Sequence, residues 1–293
     1  MSSSSRTGRF APSPSGPLHF GSLLTAVASY VDARASGGRW LLRIEDIDPP
    51  REMVGADGLI LDTLARHGLH WDGAVLYQST RHARYREVLD DLLARGQIYR
   101  CACTRARLAA LHNIYDGHCH QHPPPASTPC ALRLQLPEKI FAFDDRILGL
   151  QQQNLAKAGD CIIHRKDGLF AYQLAVVVDD IDQNMTDVVR GSDILPSTGV
   201  QIYLTELLSG TPPQYAHVPV LLGADGKKLS KQNHAPAINS ATASANLYQV
   251  LIWLGQQPPA DLINESPELI LRWAVAHWDI ATIATASPAR DTQ

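Results

Sequence analysis

The sequence predicts an α/β protein built on a mainly parallel sheet, and three observations predict it. Strand-like and helix-like segments alternate over residues 6–95 and again over 161–208, the pattern that lays helices on a parallel sheet. With 293 residues, of which 45% are apolar, the chain is long enough for a sizeable core and for about two domains. The one break in the alternation, from about residue 101 to 155, is rich in Cys and His and reads as an inserted subdomain.

Residues 6–11 read as a short strand that runs into the turn Pro12-Ser-Pro-Ser-Gly-Pro17. A helix follows, with Leu23, Leu24, Val27, Tyr30 and Val31 at helical spacing. Residues 40–44 form an apolar strand after Gly37-Gly38. Residues 51–67 read as a helix closed by Gly68, with Leu59, Ile60 and Leu64 on its apolar stripe. Ser79 or Thr80 is placed to cap the next helix, which runs to about Arg95 and stops at Gly96. Within the break lie three consecutive prolines, 123–125, and a strand-like piece, 132–136. The alternation resumes with a strand at 161–164, a helix at 172–182, a strand at 187–190 and a helix at 198–208. Residues 217–222 then lead through Gly223-Ala-Asp-Gly226 into Lys227-Lys-Leu-Ser-Lys231, and helices at about 246–254 and 267–277 follow.

Composition excludes several classes. The opening, Met1-Ser-Ser-Ser-Ser-Arg6, has no apolar stretch and is not a secretory signal. The strongest apolar run, 174–178, is far too short to span a bilayer. Five cysteines, an odd number, argue for thiols or a metal over disulfides, and a cytoplasmic protein is expected. The net charge of −3 sits at one end: from residue 233 onward five acids face two bases, and the rest balances. That balance excludes a generally basic nucleic-acid coat and leaves only local patches.

Three units carry chemistry. In the first, a strand and turn run into Leu18-His19-Phe20-Gly21-Ser22 at the start of a helix. Unsatisfied N–H groups and a positive dipole end suit phosphate there. His19 could add a hydrogen bond to a phosphoryl oxygen, and Gly21 would let an adenine ring approach the backbone. The second is Lys228-Leu-Ser-Lys231, two ammonium groups on a loop, useful where charge develops on a leaving pyrophosphate. Each unit alone reads more readily as a structural helix start or a solvated basic loop; their pairing on one α/β domain is what points to nucleotide chemistry. The third is Cys101-x-Cys103 followed by Tyr115, His118, Cys119, His120 and His122. Clustered thiols read either as a closed structural zinc site or as buried reduced cysteines. Three cysteines leave one ligand open, and imidazole chemistry alone would choose His118 or His120. Cys130 and Cys161 lie on strand-like stretches and read as core. Arg81, Arg84, Arg86, Arg95, Arg100, Arg105 and Arg107 crowd one region, either as a grip for RNA phosphates or as a solvated face.

The order of the first two units resembles the class I aminoacyl-tRNA synthetases. Residues 12–22 look like that family's HIGH motif, with Phe20 and Ser22 as departures; Lys228-Leu-Ser-Lys-Gln232 looks like its KMSKS loop, with Leu229 and Gln232 as departures. Arg9-Phe-Ala-Pro-Ser13, Leu42-Arg-Ile-Glu-Asp-Ile-Asp48, Tyr172-Gln-Leu-Ala-Val-Val-Val-Asp-Asp180 and Val189-Arg-Gly-Ser-Asp193 are similar to blocks of the glutamate branch. The resemblance implies a Rossmann-like parallel-sheet catalytic domain in two halves, 1–100 and 159–232. It also implies a zinc-bearing insertion at 101–158 and a short C-terminal helical stub at 233–293 without an anticodon-binding domain.

Free glutamate carries one ammonium and two carboxylates, so its pocket needs one acid and about two cations. Arg9 and Arg190 can fork onto carboxylates and Glu45 can receive the ammonium. The resemblance implies that Arg9, Ser13, Glu45, Tyr172 and Arg190 line that pocket, with Arg43 and Asp46 structural. It implies ATP at His19, Gly21, Ser22 and Lys231, with Mg²⁺, and catalysis by His19, Lys228 and Lys231. The insertion resembles that of the truncated members of the branch, which implies one zinc ion on Cys101, Cys103, Tyr115 and Cys119. Those members attach glutamate to the queuosine base of tRNA(Asp). The expected partners are therefore glutamate, ATP and that tRNA, for a monomer without a membrane. A different acceptor, or a non-catalytic paralogue, is the alternative.

Overall fold

A computed structural model of the chain describes residues 6–112, 114–221 and 236–285. Its first half runs β1 (Thr7–Phe10), α1 (Phe20–Ala35), β2 (Arg39–Ile44), α2 (Ala56–Arg66), β3 (Leu76–Tyr77) and α3 (His82–Ala94). Next come β4 (Ile98–Cys101), α4 (Arg105–Ala110), α5 (His118–Gln121), β5 (Ala131–Leu134), β6 (Ile140–Asp145), β7 (Gly149–Asn154), α6 (Leu155–Ala158) and β8 (Cys161–His164). Then α7 (Tyr172–Asp182), β9 (Asp187–Gly191), α8 (Thr198–Leu207), β10 (Gln214–Val218), α9 (Ala243–Trp253) and α10 (Pro267–His277) complete it.

The main sheet is parallel, as its alternation predicts, and comes in two pieces. One is β1-β2-β3; the other is β9-β10-β6 with β7 added antiparallel at its edge. The pieces meet where β1 lies beside β9. There the Thr7 N–H donates to Thr186 Oγ1 at 2.8 Å, and the Thr186 N–H donates to Thr7 O at 3.0 Å. Helix α1 packs over both strands, with Leu23, Val27 and Val31 fully buried. The strand order therefore reverses at this seam, and a crevice opens beyond the carboxyl ends of β1, β2 and β9. Ligands of open α/β sheets bind at such reversals.

A second, antiparallel sheet is β4-β5-β8. The stretch 101–158 thus supplies strands to both sheets: β5 joins the antiparallel one, whereas β6 pairs with β10 in the main sheet. Helices α9 and α10 lie against α1, and Leu247, Val250, Leu251, Ile270 and Leu271 share one core with Leu23, Val27, Trp40 and Leu64. The C-terminal segment closes the core of the first half. Among the described residues no helix is long and apolar enough to cross a membrane.

Local expectations fail at two helix starts. The helix expected from 51 begins at Ala56, because Pro49–Arg51 forms a separate tight turn and Gly55 takes a left-handed φ of 76° before it. Leu59 falls off the stripe and is 47% exposed, while Ile60 and Leu64 are buried. Neither Ser79 nor Thr80 caps α3. The Ser79 hydroxyl donates to Asp46 at 2.6 Å, Thr80 donates to Tyr77 O at 2.7 Å, and a 3-10 turn precedes the helix.

The shared core carries a test. Leu251→Ala removes a side chain with no exposure and should cost about 2–5 kcal/mol. Melting followed by circular dichroism should shift down as one transition. A separate early transition for the C-terminal helices would contradict the shared core.

Candidate active site

Every glutamate- and ATP-site residue expected from the sequence, apart from the loop lysines, lines one cavity of about 440 Å³: Arg9, Ser13, His19, Gly21, Ser22, Glu45, Tyr172 and Arg190. Lys228 and Lys231 lie outside the described residues. The reason for the convergence is topological. Arg9 and Arg190 sit near the carboxyl ends of β1 and β9, and Glu45 immediately follows β2. The turn 12–18 is tied to that strand end, since the Glu45 N–H donates to Pro12 O at 3.0 Å and the Met53 N–H to Pro14 O at 2.9 Å.

His19 is the N-cap of α1, in extended backbone, and its Nδ1 accepts the Ser22 N–H at 3.3 Å. An accepting Nδ1 puts the proton of a neutral ring on Nε2, which lies 3.1 Å from Ser22 Oγ. The ring therefore presents an N–H beside the first turn of a 16-residue helix, where backbone donors already favour anions.

Charge is distributed unevenly over the cavity floor. Arg9 donates through Nε and Nη2 to the two oxygens of Asp180 at 3.3 and 3.4 Å. Arg43, with no exposure, donates to Asp180 at 2.7 Å and Gln183 at 2.8 Å and lies 3.6 Å from Glu45. That last separation is an ion pair without a hydrogen bond, and Glu45 Oε1 has no hydrogen-bond partner. Burial pushes the Glu45 carboxyl up to about 7, against the pull of Arg43 and Arg9. Asp180 behaves oppositely: burial works against its anion, but Arg9 and Arg43 outweigh burial and hold its pKa below the usual range. Tyr172 opens α7, and burial raises its phenol.

Arg190 is held differently. Its Nε donates to His217 Nε2 at 3.0 Å, Nη1 to Gln201 Oε1 at 2.6 Å and Nη2 to Thr198 Oγ1 at 2.9 Å. The guanidinium lies 4.9 Å from the centre of the Tyr215 ring. Sequence reasoning missed Asp180, Gln201, His217 and Asp145. Asp180 was visible only as the end of a quoted block, and the others carry no motif.

The second cluster is the thiol group. Cys101, Cys103 and Cys119 place their sulfurs within 4.8 Å of one another. Cys103 and Cys119 Sγ are 3.5 Å apart, close to the edge of about 3.8 Å that a tetrahedron with 2.3 Å zinc–sulfur bonds requires. Tyr115 Oη lies 4.0 Å from Cys103 Sγ and accepts the Cys119 N–H at 2.7 Å. His120 packs on Tyr99 and His118 on His122, and neither His118 nor His120 belongs to the metal-competent group among the described residues. Burial opposes the Cys101 thiolate, yet hydrogen bonds to Arg133 and Tyr115 bring its pKa below the ordinary value. The three sulfurs fit a soft tetrahedral metal such as zinc, and the Tyr115 phenol lies beside them. Cys161 opens β8 and burial pushes its thiol up to about 12; Cys130 is half-buried just before β5.

The arginine-rich region is largely engaged within the chain. Arg81 binds Asp179 and Asp182, Arg84 binds Asp182 and Glu87, Arg95 binds Asp91, and Arg107 binds Asp116. Arg100 donates to the carbonyls of Pro125, Ala126 and Thr128. Within the chain these guanidinium groups tie α3 to α7 and brace the insertion.

The fold and cavity define an α/β domain whose charged crevice opens at the switch point of its parallel sheet. The family model for the catalytic domain of class I tRNA synthetases (E and Q) matches residues 6–251, and the chain belongs to that family. Among its relatives are two proteins named Glutamyl-Q tRNA(Asp) synthetase. That of Pseudomonas aeruginosa is 51% identical over 281 residues, covering 96% of each chain. That of Vibrio cholerae is 49% identical over 280 residues, covering 95% of this chain and 92% of the relative. The fold is similar to that of a glutamate tRNA ligase from Elizabethkingia meningosepticum, solved with its amino acid. The TM-score is 0.82 and the identity 26%, over 97% of this chain and 66% of that one.

Glu45 gives the site a measurable pH signature. Its folded pKa of about 7 lies above the unfolded value near 4.5. Its contribution to stability is therefore fully present below pH 4.5 and is lost as pH rises to about 7. Glu45→Gln should raise the stability of the ligand-free protein at pH 8 by on the order of 3 kcal/mol. The gain should vanish near pH 4.5, as read from paired thermal melts.

Proposed function

We propose that the chain activates L-glutamate with ATP, without needing RNA, and transfers it to the queuosine base of tRNA(Asp). The observation that carries the reading is the cavity itself: one acid without a hydrogen-bond partner on one oxygen and two arginines, at the mouth of a helix N-terminus. Glutamate brings the complementary charges. Its ammonium would settle at Glu45, where a neighbouring positive charge favours the ionised form. Its two carboxylates would meet Arg9 and Arg190, and the Tyr172 hydroxyl would orient them. Glutamine's neutral amide would leave a guanidinium unpaired, which disfavours it.

Activation is an in-line displacement. An α-carboxylate oxygen of glutamate attacks the α-phosphorus of ATP, pyrophosphate leaves, and glutamyl-adenylate forms. His19 and the first turn of α1, lined by Gly21 and Ser22, would hold phosphoryl oxygens as charge moves onto them. Lys228 and Lys231 are assigned to the leaving pyrophosphate. Mg²⁺ would enter on the nucleotide's own oxygens, screening their charge. A hydroxyl of the queuosine cyclopentene diol then attacks the mixed anhydride, AMP departs, and an ester remains. No protein nucleophile is needed, because positioning and electrostatics supply the acceleration. Zinc on Cys101, Cys103, Tyr115 and Cys119 would stiffen the insertion, and no step passes through it. The protein is read as a cytoplasmic monomer.

Glutamate-dependent exchange of labelled pyrophosphate into ATP, with no RNA present, tests activation. His19→Ala should reduce it by about 10²-fold or more; undiminished exchange would remove His19 from the chemistry. Labelled glutamate should pass to queuosine-containing tRNA(Asp) and not to the unmodified tRNA, and the opposite preference would sink the acceptor assignment. The metal site is tested separately. Purified protein should hold about one zinc per chain, and Tyr115→Phe should release it to chelator faster. Unchanged retention would exclude the phenol as ligand.

A further inference from the structure

The two cavity arginines differ in what holds them, and the difference has a source behind the cavity wall. Arg9 is paired directly with the Asp180 carboxylate. Arg190 is held by a ring nitrogen, an amide oxygen and a hydroxyl, all neutral. No carboxylate of the described residues pairs with it directly. The nearest anion in its network, Asp145, stands one imidazole away. Asp145 Oδ2 lies 2.5 Å from His217 Nδ1, and Oδ1 accepts the N–H groups of Ile147, Leu148 and His217 at 3.0, 2.9 and 3.2 Å.

These contacts fix a tautomer. Asp145 is buried, and hydrogen bonds from His217 and backbone N–H groups outweigh that burial to keep it ionised. It accepts the Nδ1 proton, so Nε2 of neutral His217 carries a lone pair toward Arg190 Nε. Burial lowers the His217 pKa and supports the neutral ring. The reverse tautomer would oppose two N–H donors. The arrangement follows from the sheet: His217 is in register with Arg190 across β10 and β9, and Tyr215 is in register with Asp145 across β10 and β6. His217, Asp145 and Arg190 are 0 to 4% exposed.

We propose that Asp145 and His217 form a positioning relay that fixes the Arg190 guanidinium at the cavity while leaving its charge unneutralised, making Arg190 the cation that selects a substrate carboxylate over an amide. The inference rests on glutamate being the activated substrate. Asp180 binds and partly neutralises Arg9, whereas Arg190 meets its full demand for an anion only in the substrate. A carboxyl group satisfies it and an amide does not.

Pyrophosphate exchange measured against glutamate, glutamine and ATP tests this in the wild type, His217→Phe, His217→Gln, Asp145→Asn and His217→Gln/Asp145→Asn. His217→Phe should raise the glutamate KM by at least about tenfold, leave the ATP KM within about twofold, and narrow the preference for glutamate over glutamine. His217→Gln restores an acceptor for Arg190 Nε and should recover most of the loss. Asp145→Asn frees the tautomer and should by itself raise the glutamate KM, whereas adding it to His217→Gln should cost little more. The relay is overturned if the glutamate and ATP KM values rise together, or if Asp145→Asn melts normally and leaves the glutamate KM unchanged. If His217→Phe does not fold, Asp145→Asn and the double variant decide the matter. A wild type without glutamate-dependent exchange overturns the activation reading and the relay with it. Wild-type exchange with an unmoved variant series overturns the relay alone.

Discussion

The cavity depends on a buried positive charge that cannot be left unpaired. Arg43 has no exposure, and Asp179, Asp180 and Glu45 surround it, with Gln183 as a neutral partner. Removing Asp180, its hydrogen-bonded anion, would leave an uncompensated charge in low dielectric, at a cost of about 3–5 kcal/mol. The cluster also joins distant parts of the chain. Asp180 reaches Arg9 on β1, and Asp179 accepts from Gln78, Arg81 and Tyr85 around the start of α3. Strand β2, helix α7 and helix α3 are therefore locked in one relative position by groups that would each be unstable alone. The pocket inherits its geometry from that lock.

Within this frame the charges are graded. Asp180 serves two arginines and is held ionised, while Glu45, equally buried, is left one oxygen short of a partner and lifted toward neutrality. The cavity thus holds an acid that gains from a cation and, in Arg190, a cation that gains from an anion. Both imbalances cost folding stability, and the zwitterion proposed as substrate would relieve both. Such a site trades some folding stability for differential interaction with its substrate.

Much of this was legible in the sequence, for identifiable reasons. The helix periodicity of 20–35 and 172–182 survives because each helix buries one face on a sheet. The pocket residues were legible because strand ends and a helix start are local features, and a parallel sheet brings such ends together. The helix start at 51 was not legible, since the prolines at 49 and 50 favour a tight turn that periodicity does not register. The expected cap at Ser79 fails because Ser79 lies in the 3-10 turn before α3 and its hydroxyl is bound to Asp46, 33 positions earlier in the chain. His217 and Asp145 were invisible for the same reason on a larger scale. They are 72 residues apart, and only the pairing of β6 with β10 makes them neighbours. The intrachain partners of the arginines of 81–107 were not legible, because a count of charges says nothing about partners; Asp179 and Asp182 of α7 pair with the first two.

The same non-local logic applies to the C-terminal helices. They look like an appendage in the sequence, acidic and following the lysine-rich stretch 227–231. In the fold they cover α1, the helix whose first residues follow His19. Trp253 lies edge-on to Phe20, the first residue of that helix, with ring centres 5.4 Å apart. Trp278 donates to Asp32, which also accepts both Nη groups of Arg146 in the turn after β6. One end of α1 is thus packed by α9, and the other is pinned by the segment after α10 and by the edge of the main sheet. A helix whose N-terminus faces the cavity is positioned more firmly when it is restrained along its whole length. Residues 243–278 supply the face that the sheet does not, and their apolar pattern is better understood as part of the active-site scaffold than as a separate module.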